Sequence, residues 1–146
     1  MALGCSLIYN PQGDRYYQEK PVRVFKTKEF ARFSRREKIR DLGLCEAVER
    51  AERGLIDADI GGGVIKQRVA RPGEGRSGGY RTIIAYRSQT RSIFMYGFPK
   101  SGKANLSDDE VVVYRRLAKA FLGLDEADLL RLTKSGELIE VAYDDA

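Results

Sequence analysis

The sequence predicts an α+β fold in the order β-α-α-β-β-β-α, with two N-terminal helices packed on a mostly antiparallel sheet. Three observations lead there. Residues 28–53 carry apolar side chains at helical spacing, residues 64–98 hold three runs of β-branched and aromatic residues broken by turn residues, and Ser107 opens a capped helix. At 146 residues, 42% hydrophobic and 32% charged, the chain has the length and composition to bury one core.

Val22 and Val24, with Arg23 and Phe25, form the first strand. Thr27 is placed to cap a short basic helix with Phe30 and Phe33 on one face, ending near Lys38. Asp41 is expected to cap a second helix, whose stripe Leu44, Ala47, Val48 and Ala51 recurs at i, i+3, i+4, i+7 before Gly54. Cys45 borders that stripe as a small packing residue. Gly61-Gly62-Gly63 lacks the spacing of a P-loop or dinucleotide fingerprint and reads as a flexible entry into a strand over 64–70. Residues 71–79 read as an irregular Gly-rich loop. Strands over 80–86 and 92–98 follow, turned by Ser88-Gln89-Thr90. Ser107 and Glu110 make a capping box, and Val113, Leu117, Ala120 and Phe121 are the expected buried stripe before Gly123. Asp125 caps a further short helix, and residues 137–143 form a last strand or a loosely held tail. The expected division is a poorly ordered extension over 1–21, a principal domain over 22–124 and an addition over 125–146.

Charge and composition narrow the function. The chain has 26 Lys/Arg against 21 Asp/Glu, but residues 61–103 hold nine basic side chains and one acid, Glu74, with five aromatics among them. A concentrated cationic field beside aromatic faces suits a phosphodiester backbone with stackable bases. There is no histidine, which excludes histidine acid–base chemistry, and Cys5 and Cys45 lack metal-ligand spacing, so neither a metal nor another cofactor is expected. Two distant cysteines point to a reducing, cytoplasmic setting. No apolar run is long enough to span a bilayer, and Leu3-Gly4-Cys5 lacks the flanks of a lipoprotein signal.

Within the basic stretch, Lys66 and Arg68 are two apart on one strand and leave the same face. Arg81 lies on the next strand, in phase with Ile83 and Ala85. If the strands are neighbours, the three cations converge on one phosphate, Arg81 gripping it bidentately and Lys66 acting as a point charge.

Lys66-Gln67-Arg68, the run Ser77-Gly78-Gly79-Tyr80-Arg81 with Ile83-Ile84-Ala85-Tyr86, and Phe98 with Lys100 before an acid-capped helix resemble the RelE/ParE superfamily of type II toxins. Within it the long Arg71–Arg81 loop is similar to a HigB-like subgroup of RelE toxins. The resemblance covers roughly residues 22–122. It implies a small α+β toxin that cleaves mRNA in the ribosomal A site and is held inactive by a cognate antitoxin. Carried over residue by residue, it marks Lys66, Arg68, Arg81 and Lys100 as catalytic; Arg71, Arg76, Tyr80, Tyr86 and Lys103 of the basic, aromatic-bearing stretch are the expected RNA contacts. The chain departs from the pattern at two points. Ser101 stands where RelE toxins have an arginine, and residues 102–106 hold no tyrosine where the family has its catalytic one. Tyr80, Tyr86 and Tyr96 are the possible stand-ins.

The reading is a metal-independent endoribonuclease that leaves 2′,3′-cyclic phosphate and 5′-hydroxyl ends. Its partners are mRNA, the ribosome and an antitoxin, and no membrane. The rivals are a ParE-like gyrase poison that leaves RNA intact and a non-catalytic nucleic-acid or antitoxin-binding module.

Overall fold

The computed structural model describes residues 22–71, 75–99 and 105–142, with 75–78 in backbone alone, and two short strands before them. Those two, β1 (Leu7–Tyr9) and β2 (Arg15–Tyr17), pair antiparallel with Leu7 opposite Tyr17. The expectation for residues 1–21 contained no strand. Apolar and aromatic β formers on either side of the turn-rich Asn10–Gly13 account for the pairing.

The main sheet has six strands. From one edge the order is β4 (Ala58–Gly61), β5 (Val64–Arg71), β6 (Gly75–Arg87), β7 (Arg91–Pro99), β3 (Arg23–Thr27) and β8 (Leu138–Glu140). Every neighbouring pair is antiparallel except β3 and β7. The α+β, mostly antiparallel expectation therefore holds, with more strands than foreseen. β6 begins at Gly75, so much of the expected loop over 71–79 is strand. Gly61–Gly63 is a turn between two strands rather than a free entry, and all three glycines have positive φ, the left-handed region only glycine adopts cheaply.

Helices cover both faces of this sheet. On one face α1 (Lys28–Arg36) and α2 (Asp41–Glu52) bury Phe30, Phe33, Leu44, Ala47, Val48 and Ala51 against Ile65, Val69, Tyr80 and Ile84. On the other, α3 (Asp108–Leu122) and α4 (Glu126–Ser135) bring Ala118, Leu122 and Leu129 against Val64, Ile83, Ile93 and Phe98. Packing on one face alone was the expectation, and the apolar runs Ile83-Ile84-Ala85 and Ile93-Phe94-Met95 explain the difference. Strands buried on both sides read as continuous apolar runs rather than alternation, and need cover on both sides.

The helix ends follow local chemistry. Thr27 Oγ1 accepts from Phe30 N at 3.1 Å, Ser107 and Glu110 form the reciprocal capping box, and Asp125 Oδ1 accepts from Asp128 N at 2.8 Å. Asp41 is not a cap. Arg40 occupies that position, and Asp41, in the first turn of α2, accepts from Lys26 Nζ at 2.9 Å. Cys45 is fully buried, and burial, with Asp41 and Glu49 nearby, pushes its thiol up to about 12, which fits a packing role.

The buried stripe of α3 was misread by one position. Val113 and Leu117 are 51% and 40% exposed, and the face on the sheet is Tyr114, Ala118, Phe121 and Leu122. At 3.6 residues per turn, a shift of one residue rotates a stripe by about 100°. Residues 125–142 are integral to the sheet rather than an appended tail. β8 pairs with β3, Leu129 and Leu138 are buried, and Arg23 bridges Glu126 and Glu140, each at 2.9 Å.

Candidate functional site

The three cations of the sequence reading meet on the sheet face that carries α3 and α4. Arg68 and Arg81 are directly opposite each other on β5 and β6, and Phe98 of β7 completes their row. One step along, Lys66, Ile83 and Tyr96 form the adjacent row. Residues two apart on a strand lie about 7 Å apart, and neighbouring strands about 4.8 Å. Lys66, Arg68 and Arg81 thus surround one small area, close enough to share an anion.

Each cation is held differently. Lys66 Nζ donates to Asn105 Oδ1 at 2.8 Å, which ties β5 to the segment leading into α3. Arg68 pairs with Asp57, its Nη2 at 3.3 Å from Oδ1 and its backbone N donating to Oδ2 at 2.7 Å. Arg81 Nη1 is buried and has no hydrogen-bond partner among the described residues. A buried, unpaired guanidinium nitrogen is costly to leave unsatisfied.

Asp57 was missed by the sequence reading, and Gln67 explains how it reaches the site. Gln67 is fully buried on the opposite face of β5. Its Nε2 donates to Ala47 O at 2.9 Å, and its Oε1 accepts from Asp57 N at 2.7 Å. That clamps the segment after α2 beside β5, with Asp57 at the level of Arg68. Burial alone would raise the Asp57 carboxyl. The Arg68 hydrogen bonds and the charges of Arg68 and Arg50 outweigh it and hold the group below its ordinary value.

A lowered carboxylate adds stability above its unfolded value of about 3.9, and that stability is lost as pH falls through the still lower folded value. The gap in urea midpoint between wild type and Asp57→Asn is therefore expected to shrink between about pH 6 and about pH 3. An equal gap at both pH values would show that the pair contributes nothing through ionisation.

Tyr96 reaches this face through an irregularity. The β6–β7 register shifts between Ile83 and Ile84, which pair with Tyr96 and Phe94 and leave Met95 as an extra residue. Before the shift the odd-numbered Ile93 faces α3 and the even-numbered Phe94 faces α1. After it the even-numbered Tyr96 and Phe98 face α3. Such a bulge inserts one residue and re-aims the side chains beyond it. Tyr96 then stacks on Tyr114 of α3, ring centroids 5.6 Å apart and planes 19° from parallel. Burial, with Tyr96 and the charges of Glu110 and Glu29 nearby, pushes the Tyr114 hydroxyl up to about 12.

Of the remaining expected site residues, Tyr80, Arg71 and Tyr86 do not gather here. Tyr80 is 2% exposed on the α1/α2 face, its hydroxyl 3.1 Å from Glu37 Oε1, so it is a core residue rather than a stacking platform. Arg71 lies over the Tyr80 ring, 5.4 Å from its centroid, on that same side. Tyr86 also packs on the α1/α2 side, and its hydroxyl donates to Glu52. Of the three stand-in tyrosines, only Tyr96 shares the face with Lys66, Arg68 and Arg81. Lys100, Lys103 and the side chain of Arg76 lie outside the described residues. Among the described residues no three His, Cys, Asp or Glu side chains are grouped to hold a metal ion, and no helix is long and apolar enough to cross a membrane.

The family model described as the RelE toxin of the RelE/RelB toxin–antitoxin system matches residues 22–141. The chain belongs to the RelE toxin family. The match runs through α4 and β8, past the end of the region that the sequence motifs marked, in agreement with the integral place of those elements in the sheet. Among curated proteins no sequence matches the chain. As a RelE toxin it is one half of a type II pair, and membership implies an antitoxin partner.

Proposed function

We propose that this RelE toxin is an mRNA endoribonuclease that acts on ribosome-bound message, and that the Lys66/Arg68/Arg81 face is its active site. The observation that carries the reading is the buried, unpartnered Nη1 of Arg81 directly across the sheet from Arg68. In the reaction the 2′-oxygen forms a bond to the adjacent phosphorus while the bond to the 5′-oxygen breaks. The products are a 2′,3′-cyclic phosphate and a 5′-hydroxyl. One group accepts the 2′-hydroxyl proton and another returns a proton to the leaving oxygen.

Arg68 and Arg81 stabilise the charge that grows on the phosphorane oxygens. Arginine does not deprotonate, so the proton-carrying roles fall to other residues. Lys66 and Lys100 are the candidates for the 2′-hydroxyl proton and Tyr96 for the leaving oxygen. Positioning of the message by the ribosome supplies a further part of the rate. Neutralising this half-buried cationic face is a task for acidic side chains of the antitoxin.

The test is to incubate the purified chain with a defined message, with and without ribosomes, and to determine both product ends. Cyclic phosphate and 5′-hydroxyl ends, formed equally well in the presence of a chelator, are expected. Tyr96→Phe should slow cleavage by about 10²-fold, the usual contribution of one positioned acid, while Tyr80→Phe leaves the rate close to wild type. Intact RNA together with gyrase-dependent DNA breaks in cells would replace this reading with the ParE-like one.

A further inference from the structure

We propose that the end of α3 remote from the candidate active site carries a second RNA-backbone site, formed by Arg87, Arg115, Arg116 and Lys119 around the Gly62–Gly63 turn. The inference rests on the RNA reading above and extends it to a substrate-holding surface. The four cations line a cavity of about 530 Å³ that has no acidic residue in its wall. None of them forms an ion pair among the described residues. Cations gathered without acids repel one another, and a polyanion relieves that repulsion.

The glycine turn gives this surface its shape. Gly61, Gly62 and Gly63 all have positive φ; the Arg115 side chain lies over Gly61 and Gly62, and Leu122 lies against Gly63. A Cβ on Gly62 would stand 2.9 Å from Arg115 Cγ, and Arg115 Nη2 donates to Ile60 O. The guanidinium is therefore pinned at the rim of the cavity. Arg87 is held at 3.0 Å from Leu122 O, at the negative end of the α3 dipole. Arg91, outside the groove, also serves the helix end, donating to Phe121 O at 2.7 Å and Leu124 O at 2.9 Å. Arg116 and Lys119 are exposed on the helix surface above.

The geometry favours an extended polyanion that also reaches the active site. Arg81 and Arg87 sit on one strand, six residues apart, which is about 20 Å at roughly 3.3 Å per residue. That exceeds a Debye length of about 10 Å at 0.1 M salt, so the two cationic patches act as separate contacts along one strand of RNA.

The experiment measures binding of the full chain to a 2′-O-methyl RNA oligonucleotide, which cannot be cleaved, across a series of salt concentrations. Arg116→Gln/Lys119→Gln should weaken binding on the order of tenfold at about 0.1 M salt. It should also lower the slope of log affinity against log salt by about 1.4, roughly 0.7 for each single-strand phosphate that the variant leaves unneutralised. Arg131→Gln/Lys134→Gln removes the same charge from α4 and should change neither quantity appreciably. Equal losses in both double variants, or no loss in the first, would overturn the site. So would a polyglutamate peptide that binds the first variant more weakly while the oligonucleotide does not, since the groove would then be an acidic-peptide site. Because the probe is not a substrate, failure of the nuclease reading appears independently, as absence of cleavage by the wild type.

Discussion

Arg81→Ala is expected to reduce RNA cleavage by about 10²-fold or more, with stability unchanged or slightly increased. Removing one donor that meets developing charge in the transition state typically costs about 10²–10³ in rate. The stability half of the expectation comes from the orphaned nitrogen. Arg81 Nη1 is buried with no partner among the described residues, so its removal breaks no hydrogen bond to them and relieves a desolvated donor. Arg91→Ala should behave in the opposite way. Arg91 is 8% exposed and donates to two carbonyls at the end of α3, so its loss should cost about 1–3 kcal/mol. Arg81→Lys should restore only part of the rate, because an ammonium cannot reproduce the planar fork of a guanidinium. The measurements are single-turnover cleavage and urea unfolding of the three variants. Normal cleavage by Arg81→Ala would remove the site from this face of the sheet.

The basic triad was legible because its members sit on regular strand. Period-two alternation alone places Lys66 with Arg68, and Arg81 in phase with Ile83, and the register puts those positions opposite one another. Thr27, Ser107 and Asp125 were equally legible, since capping is local chemistry between a side chain and an amide three residues on. Features that depend on partners distant in sequence were not. Alternation through β7 would have left Tyr96 on the same side as Phe94, and only the extra residue at Met95 turns it towards Lys66. Asp57 reaches Arg68 through the Gln67 side chain, which has no sequence signature. Arg87 and Arg91 count towards the basic stretch, but their guanidinium groups bond to carbonyls at the end of α3. Tyr80 was read as an RNA contact, but it points to the face opposite Arg81, and what buries it there, α1 and Phe33, is distant in sequence.

Gly79→Ala is expected to be the most damaging single-methyl change in the sheet, costing about 3–5 kcal/mol and lowering cleavage with it. A Cβ at Gly79 would collide with the carbonyl oxygen of Val69. It would also stand 2.9 Å from Arg71 N and 3.1 Å from Ala70 Cα. All three are backbone atoms, so no rotamer change can relieve the contact. β5 and β6 would have to part beside the Val69–Tyr80 pair, and the next pair along is Arg68 with Arg81. A displacement of about 1 Å at a reacting group can cost 10²-fold in rate, so catalysis should fall further than the unfolded fraction explains. Gly54→Ala is the comparison. Gly54 has a φ of +83° and nothing within 4 Å of an added Cβ, so only the conformational cost of about 1 kcal/mol applies. If glycine served only backbone freedom in this protein, Gly54→Ala would be the worse of the two. Urea unfolding of both variants, with cleavage measured where each is fully folded, separates the cases. A Gly79→Ala protein within about 1 kcal/mol of wild type would mean that β5 and β6 do not approach as closely at this step as the contact requires.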